Sequence, residues 1–311
     1  MNNKTINTHD RFFKSLFSNK NGVKEFVSKT INPNIVEKLD LNTLKIDNTE
    51  YLDNRLNSSF SDLVYNCKYG KTNIKISLLF EHKSQPEKFP HFQLLGYMLR
   101  IWELQIKQNK ELTAVIPIIF YHGKKTWDNK SFEKYFGKLD TEIQKFIPKF
   151  DYELIDTSTY SDSELKEHFE SVELQVGLLI MKNIFDEQKM LEKIGLLSKQ
   201  INELLQTEEG KHFFDSISVY MLNATKITSD KYREIMEIIS AQAEQQFVST
   251  AQKLRFEGIE EGIEKGIKKD KKEIAIKMIS KGYSNKTIIE LTDLKENEVE
   301  NIRKEYINQN K

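Results

Sequence analysis

Asp62, Glu81 and Lys83 are the residues whose types and spacing best suit chemistry in this 311-residue chain. Glu81 and Lys83 stand two apart at the end of TNIKISLLFEHK, where Ile74, Ile76, Leu78 and Phe80 alternate with Lys75, Ser77, Leu79 and Glu81. Alternate residues of a strand share a face, so the Glu81 carboxylate and the Lys83 ammonium are expected to point the same way. Asp62 heads the preceding strand pattern, FSDLVYNCKYG, and a short turn at Gly70 and Lys71 joins the two. Two carboxylates converging at the open end of a strand pair suit a hard divalent cation such as Mg²⁺. An ion held there polarises a phosphate and acidifies a water, while a neighbouring ammonium steers that water or stabilises the developing charge. Such a set would hydrolyse phosphodiesters. Short acidic motifs match by accident very often, so spacing alone favours the plainer reading, in which Glu81 and Lys83 are solvated residues at a strand end and Asp62 belongs to a turn.

The elements that must position these groups are legible around them. DRFFKSLF puts Phe12, Phe13, Leu16 and Phe17 at helical spacing, with His9 and Asp10 placed either to reach the site from that helix or, for Asp10, to cap it ahead of the stripe. After Pro90, HFQLLGYMLRIWELQIKQ has the length and apolar density of a buried helix, with Gln93 and Tyr97 one turn apart. AVIPIIFY, from Ala114 to Tyr121, reads as a strand in which Pro117 argues for an edge or a bulge, and YELI at 152–155 as a further short one. From Ser163 to Thr250 the apolar residues recur at three and four, the pattern of helical cover. Strands alternating with helices predict an α/β core with a mixed sheet.

Composition narrows the function classes. The 47 Lys+Arg balance the 47 Asp+Glu, so a polyanion must be met locally and not by an overall basic coat. With 38% hydrophobic and 30% charged residues and a mean hydropathy of -0.57, the chain can bury a core beneath a soluble surface. Its single cysteine, Cys67, excludes an internal disulfide, and the opening MNNKTINTHD lacks a basic segment followed by an apolar run. A reduced, cytoplasmic setting is expected. The longest apolar run falls short of the roughly 20 residues a spanning helix needs, so no membrane partner is expected. Neither GxxxxGK[ST] nor GxGxxG occurs, which argues against a nucleotide cofactor, and GxSxG is absent too. His82, His91 and His122 lack zinc-ligand spacing and read as satisfied polar histidines, and Cys67 as a buried strand residue.

The stretches HDRFFKSLFS, FSDLVYNCK, LLFEHKSQP, LLGYMLRIWE and VIPIIFYHGKKTW resemble, in that order, the recombination-promoting nuclease (Rpn) family, also called transposase-like or YhgA-like, of the PD-(D/E)XK nuclease superfamily. The resemblance implies a restriction-endonuclease-like α/β core, a mixed central sheet flanked by helices, with a helical C-terminal region. Asp62 then corresponds to the motif aspartate and Glu81-His82-Lys83 to the E-x-K element, with the His82 carbonyl as an added metal ligand. Gln93 and Tyr97 match a Q-x-x-x-Y element that helps place the phosphate backbone, although a helix simply packing on the sheet explains the same pair. Ser61 stands where the superfamily name has proline. Many family members carry Gln at the position of Lys83, so Lys here is closer to the general nuclease pattern. The implied activity is a Mg²⁺-dependent DNA endonuclease of low sequence specificity, with Mn²⁺ or Ca²⁺ as substitutes, acting in recombination or mobile-element biology. The alternative is a nuclease fold that no longer cuts and serves in DNA binding or assembly.

The tail divides further. We expect the nuclease-like core over 1–160, a helical extension over 161–250, a Gly/Ile-periodic helix or linker over 251–272 and a small helix-turn-helix-like unit over 273–311. In FEGIEEGIEKGIKKDKK, Gly258, Gly262 and Gly266 recur every fourth residue, each followed by Ile. A helical glycine costs about 1 kcal/mol against alanine, so the repeat calls for close approach of a second helix, in a homo-oligomer or against the core. Lys265, Lys268, Lys269, Lys271 and Lys272, opposed locally only by Asp270, form a solvated face or a contact to DNA phosphates. In the last segment Gly282 ends a helix, Ser284 caps the next, and Leu294 begins the turn into a third.

Overall fold

The computed structural model describes residues 3–47, 63–70 and 74–309. The chain divides into two compact units, Met1–Thr250 and Ala251–Lys311. The first unit opens with α1 (Asn3–Leu16), α2 (Lys20–Thr30) and α3 (Pro33–Val36), followed by β1 (Leu39–Ile46), β2 (Leu63–Tyr69) and β3 (Ile74–Lys83). Then come α4 (Pro90–Lys107), β4 (Ala114–Tyr121), a 3-10 turn at Phe132–Phe136, α5 (Thr141–Gln144) and β5 (Glu153–Asp156). Helical cover follows as α6 (Asp162–His168), α7 (Val172–Asn183), α8 (Glu187–Gly195), α9 (Ser198–Leu204), α10 (Glu208–Ala224) and α11 (Ser229–Ile239). The architecture is mixed α/β and mostly helical. Among the described residues no helix is long and apolar enough to cross a membrane.

The five strands lie in sequence order, β1-β2-β3-β4-β5. β1, β2 and β3 pair antiparallel, whereas β3, β4 and β5 run parallel. A parallel neighbour needs a crossover, and α4 supplies it between β3 and β4. Val115, Ile119 and Tyr121 of β4 pack with Leu94, Tyr97, Met98 and Ile101 of α4. Phe120, between them, meets Phe13, Phe17 and Phe26 on the other face. A strand covered on both faces reads as a continuous apolar run, which is why AVIPIIFY does not alternate.

Pro117 sits in regular register opposite Leu79, without a bulge, and β5 pairs only from Ile118 onward. The missing amide therefore falls where the β5 side of β4 is still unpaired, a local edge inside an interior strand. Asp10 does not cap a helix, because α1 begins at Asn3 and places Asp10 in its middle. The Phe stripe of α1 is core nonetheless: Phe12 stacks on Tyr220 of α10 at 4.3 Å and 5°.

Gly123, two residues after β4, is the tightest glycine near the end of β3. A Cβ there would lie 2.5 Å from the Ser84 carbonyl oxygen and would collide with the Tyr121 hydroxyl. Gly123→Ala should therefore destabilise the fold by roughly 1–3 kcal/mol, as overpacked sites do. A lowered urea midpoint checks it, and an unchanged midpoint would show that the Ser84 loop yields freely.

The second unit has its own small core. α12 (Ala241–Ser280) enters it, followed by α13 (Asn285–Thr292) and α14 (Glu296–Gln309). Ala275, Ile279, Ile288, Leu294, Val299 and Ile302 are buried together. Gly282 turns the chain at φ 82° after α12, the Ser284 side chain accepts from the Thr287 amide, and Asp293 closes α13 in a left-handed conformation. Gly258, Gly262 and Gly266 lie in helix with no described neighbour within 4 Å of a Cβ position. The lysine cluster is not opposed by Asp270 alone: Lys268 pairs with Glu298, Lys269 with Glu273, Lys271 with Asp293 and Lys272 with Glu305. Most of these carboxylates lie beyond α12 and return against it through the small core, a neutralisation that counting charges along the chain cannot see.

Candidate active site

β3 delivers Lys83, its last residue, to the face that carries α4. Lys83 stands opposite Tyr121 and Glu81 opposite Ile119 in the parallel ladder. The Lys83 Nζ donates to Gln93 Oε1 at 2.7 Å, and Gln93 Nε2 donates to the Tyr97 hydroxyl at 3.2 Å. Pro90, with its φ preset for the first helical turn, starts α4, so Gln93 and Tyr97 are presented from one rigid face. Tyr97 is 6% exposed and packed with Val64, Ile119 and Tyr121. The ammonium is thus fixed through an amide that is itself anchored in the core. An oriented ammonium of this kind can hold a water or stabilise charge on a phosphate oxygen.

The structure brings Lys83, Gln93 and Tyr97 together. Asp62 lies outside the described residues, as does the side chain of Glu81. The ladder between β2 and β3 is described up to Leu63 opposite Phe80, the residues that directly follow Asp62 and precede Glu81. The Lys83 carbonyl accepts from the His122 amide at 3.1 Å. Carbonyl directions alternate along a strand, so the His82 carbonyl points away from β4 toward the β2 side.

The His82 side chain leaves through the opposite face. Its Nδ1 is 3.0 Å from Asp10 Oδ1, and its ring stacks with His122 at 4.9 Å and with Phe13 at 5.0 Å. A carboxylate and a carbonyl only accept, so His82 donates from Nδ1 to Asp10 and His122 from Nδ1 to the Met181 carbonyl at 2.9 Å. His9 joins them, with Nδ1 2.7 Å from the Tyr220 hydroxyl. The Nε2 atoms of both His82 and His122 are buried without a partner, so these rings are only half satisfied. Burial pulls His9 down to about 4, with His82 adding to the effect and Asp10 opposing it. Burial, then His82 and His9, holds His122 far below the usual imidazole range. Residue spacing does not signal this cluster, because its members come from α1, the end of β3, the end of β4 and α10. The HD pair at the start of the first block is its only local trace. Among the described residues no three His, Cys, Asp or Glu side chains are arranged to hold a metal ion.

His91, on α4, is buried with Nδ1 3.1 Å from the Tyr135 hydroxyl. Cys67 is a buried strand residue, and burial raises its thiol above the usual range, the reverse of an activated nucleophile.

Comparison with known proteins places the chain in a family. The chain is 26% identical over 239 residues to "Recombination-promoting nuclease RpnD" of Escherichia coli O157:H7, covering 75% of this chain and 86% of that relative. It is 25% identical over 252 residues to "Recombination-promoting nuclease RpnA" of Escherichia coli K12, covering 76% of this chain and 84% of the relative. It is also 23% identical over 300 residues to "Inactive recombination-promoting nuclease-like protein RpnE" of the same strain, covering 96% of this chain and 98% of the relative. No solved structure matches the chain. Residues 7–212, more than half of the chain, match the family described as "Putative transposase, YhgA-like", and the chain belongs to that family.

Proposed function

We propose that the chain is a metal-dependent DNA endonuclease of low sequence specificity, built on a restriction-endonuclease-like core and acting in the cytoplasm in recombination or mobile-element biology. The observation that carries this reading is the Lys83–Gln93–Tyr97 chain of hydrogen bonds at the end of β3. A lysine at a frayed, solvated strand end has no need of an amide anchored in the core. Asp62 and Glu81 supply the hard oxygen donors that suit Mg²⁺, with Mn²⁺ or Ca²⁺ as substitutes, and the His82 carbonyl direction fits an added ligand. When bound, the ion would supply charge neutralisation at the phosphate and a more acidic water. Lys83 orients the attacking water, Gln93 fixes the Lys83 ammonium, and Tyr97 holds the Gln93 amide in place beside the scissile strand.

The test is incubation of purified protein with supercoiled plasmid, in Mg²⁺ or in chelator. Nicking that requires the metal is expected. Absence of cleavage in Mg²⁺, Mn²⁺ and Ca²⁺ would overturn the reading. The second reading, a DNA-binding or assembly protein that no longer cuts, is favoured by the match to a relative named inactive along nearly its whole length. Calorimetric binding of Mg²⁺ that Glu81→Ala removes separates the two, since a fold without catalysis has no use for a carboxylate-held ion.

The partners belong to the same proposal. The exposed glycine repeat on α12 serves self-association, in which a second copy of the helix approaches Gly258, Gly262 and Gly266 closely. Truncation from Gln252 onward should lower the mass seen by light scattering toward that of one chain, and an unchanged mass would end the idea.

A further inference from the structure

Five phenylalanines among the described residues are strongly exposed: Phe89, Phe92, Phe136, Phe146 and Phe256. Singly exposed apolar residues are ordinary, but a contiguous patch marks an interaction surface. Three of these five gather at the start of α4. Phe89 and Phe92 are 6.0 Å apart between ring centroids, Phe92 and Phe136 6.3 Å, and Tyr135 bridges Phe89 at 5.3 Å and Phe92 at 5.9 Å. The rings rest on buried Phe132 and His91, and Glu87 accepts from the amides of Lys88 and Phe89, which fixes the approach to the helix. The patch is therefore built, with its upper faces left open to solvent.

Its location and charge point to an occupant. Phe92 directly precedes Gln93, the residue that holds Lys83. The chain segments that carry these rings, residues 83–93 and 124–138, hold seven lysines, one of them (Lys130) paired with Asp128, against three carboxylates, a net +4 on a chain whose net charge is +0. Lys88 lies over the Phe89 ring at 5.1 Å. Aromatic faces interleaved with lysines are the makings of a single-strand platform, on which bases stack while phosphates meet the ammonium groups. A paired duplex keeps its base faces within its own stack and has none to offer these rings.

We propose that Phe89, Phe92 and Phe136 form a stacking platform for unpaired DNA bases beside the candidate active site, so that the preferred substrate contains a single-stranded or frayed segment. This inference rests on the nuclease reading for its biological meaning, but its test does not. The full chain, wild type and Phe89→Ala/Phe92→Ala, is titrated in chelator with a labelled oligothymidine of roughly 15 nucleotides and with a blunt duplex of the same length. The double variant should bind the single strand at least about tenfold more weakly and leave duplex affinity within about twofold, because stacking is lost and phosphate contacts are kept. Phe92→Trp should restore the affinity and show emission quenched by the strand. Unchanged single-strand affinity overturns the proposal, as does an equal loss on both DNAs. A smaller scattering mass for the double variant without a single-strand effect also overturns it, since the patch would then cover a second copy. A protein that binds unpaired DNA through these rings yet never nicks plasmid removes the nuclease reading alone, and one that nicks without ring dependence removes this inference alone.

Discussion

Glu81→Ala and Asp62→Ala should each reduce plasmid nicking by about 10³-fold or more, ~4 kcal/mol of transition-state stabilisation, with circular dichroism and urea midpoint near wild type. On the proposed reading, each substitution removes a carboxylate that would hold the ion. Lys83→Ala should cost about 10²-fold, as loss of a positioned proton-transfer or charge-stabilising group does. Gln93→Leu should cost about tenfold, because it removes one hydrogen-bond partner of the Lys83 ammonium without removing the ammonium. If Gln93 works through Lys83, the Lys83→Ala/Gln93→Leu double variant is no worse than Lys83→Ala alone. Additive losses would instead give Gln93 a contact with the DNA of its own. Wild-type rates for both carboxylate variants would remove the assigned site altogether.

The second large effect is on stability in acid. His9 has a folded pKa pulled from 6.5 to about 4, so the unfolded chain binds more protons throughout that window. Stability is therefore full above about pH 6.5 and falls as the pH drops toward 4. The His9 contribution to this loss is about 3 kcal/mol by pH 4, and His122, also held low by burial, acts in the same direction. The urea midpoint should fall by roughly 1 M or more across the window. His9→Phe keeps the aromatic volume and removes the titration, so its midpoint should decline less steeply than wild type even though Tyr220 loses a hydrogen-bond partner. Parallel profiles would place the acid sensitivity elsewhere, in the carboxylates.

How much of this was legible in the sequence depended on the distance over which each signal acts. The buried helix after Pro90, the apolar run of β4 and the caps at Gly282 and Ser284 are set by neighbours within a few residues, and each appears where local patterning places it. Lys83, Gln93 and Tyr97 stand out singly, the last two as one helical turn, but the bond from Lys83 to Gln93 joins a strand end to a helix across 10 residues, and no local pattern signals it. β1 gave no such signal: LDLNTLKI buries only Leu39 and Leu44, its ladder slips between Asp40 and Lys45, and it stands at the sheet edge. Local patterning left Asp10 open between a cap and a reach toward the site, because its partner, His82, lies 72 residues away. The five-lysine cluster of α12 read as opposed by Asp270 alone because the carboxylates paired with Lys268, Lys271 and Lys272 return from later segments through the small core.

The pairing of His9 and Phe12 with Tyr220 bears on how the protein is made. The contact closes a loop of 211 residues, so the first helix leaves the ribosome long before the side chain that covers it. At about 5–20 residues per second, that face of α1 waits roughly 10 to 40 seconds for α10 to arrive. During synthesis the Phe12 side of the helix is a sticky, uncovered surface, an obvious hold for a nascent-chain chaperone. A message truncated before Tyr220 would leave a product with its sheet in place and its first helix permanently half-dressed, a form for quality-control proteases to clear.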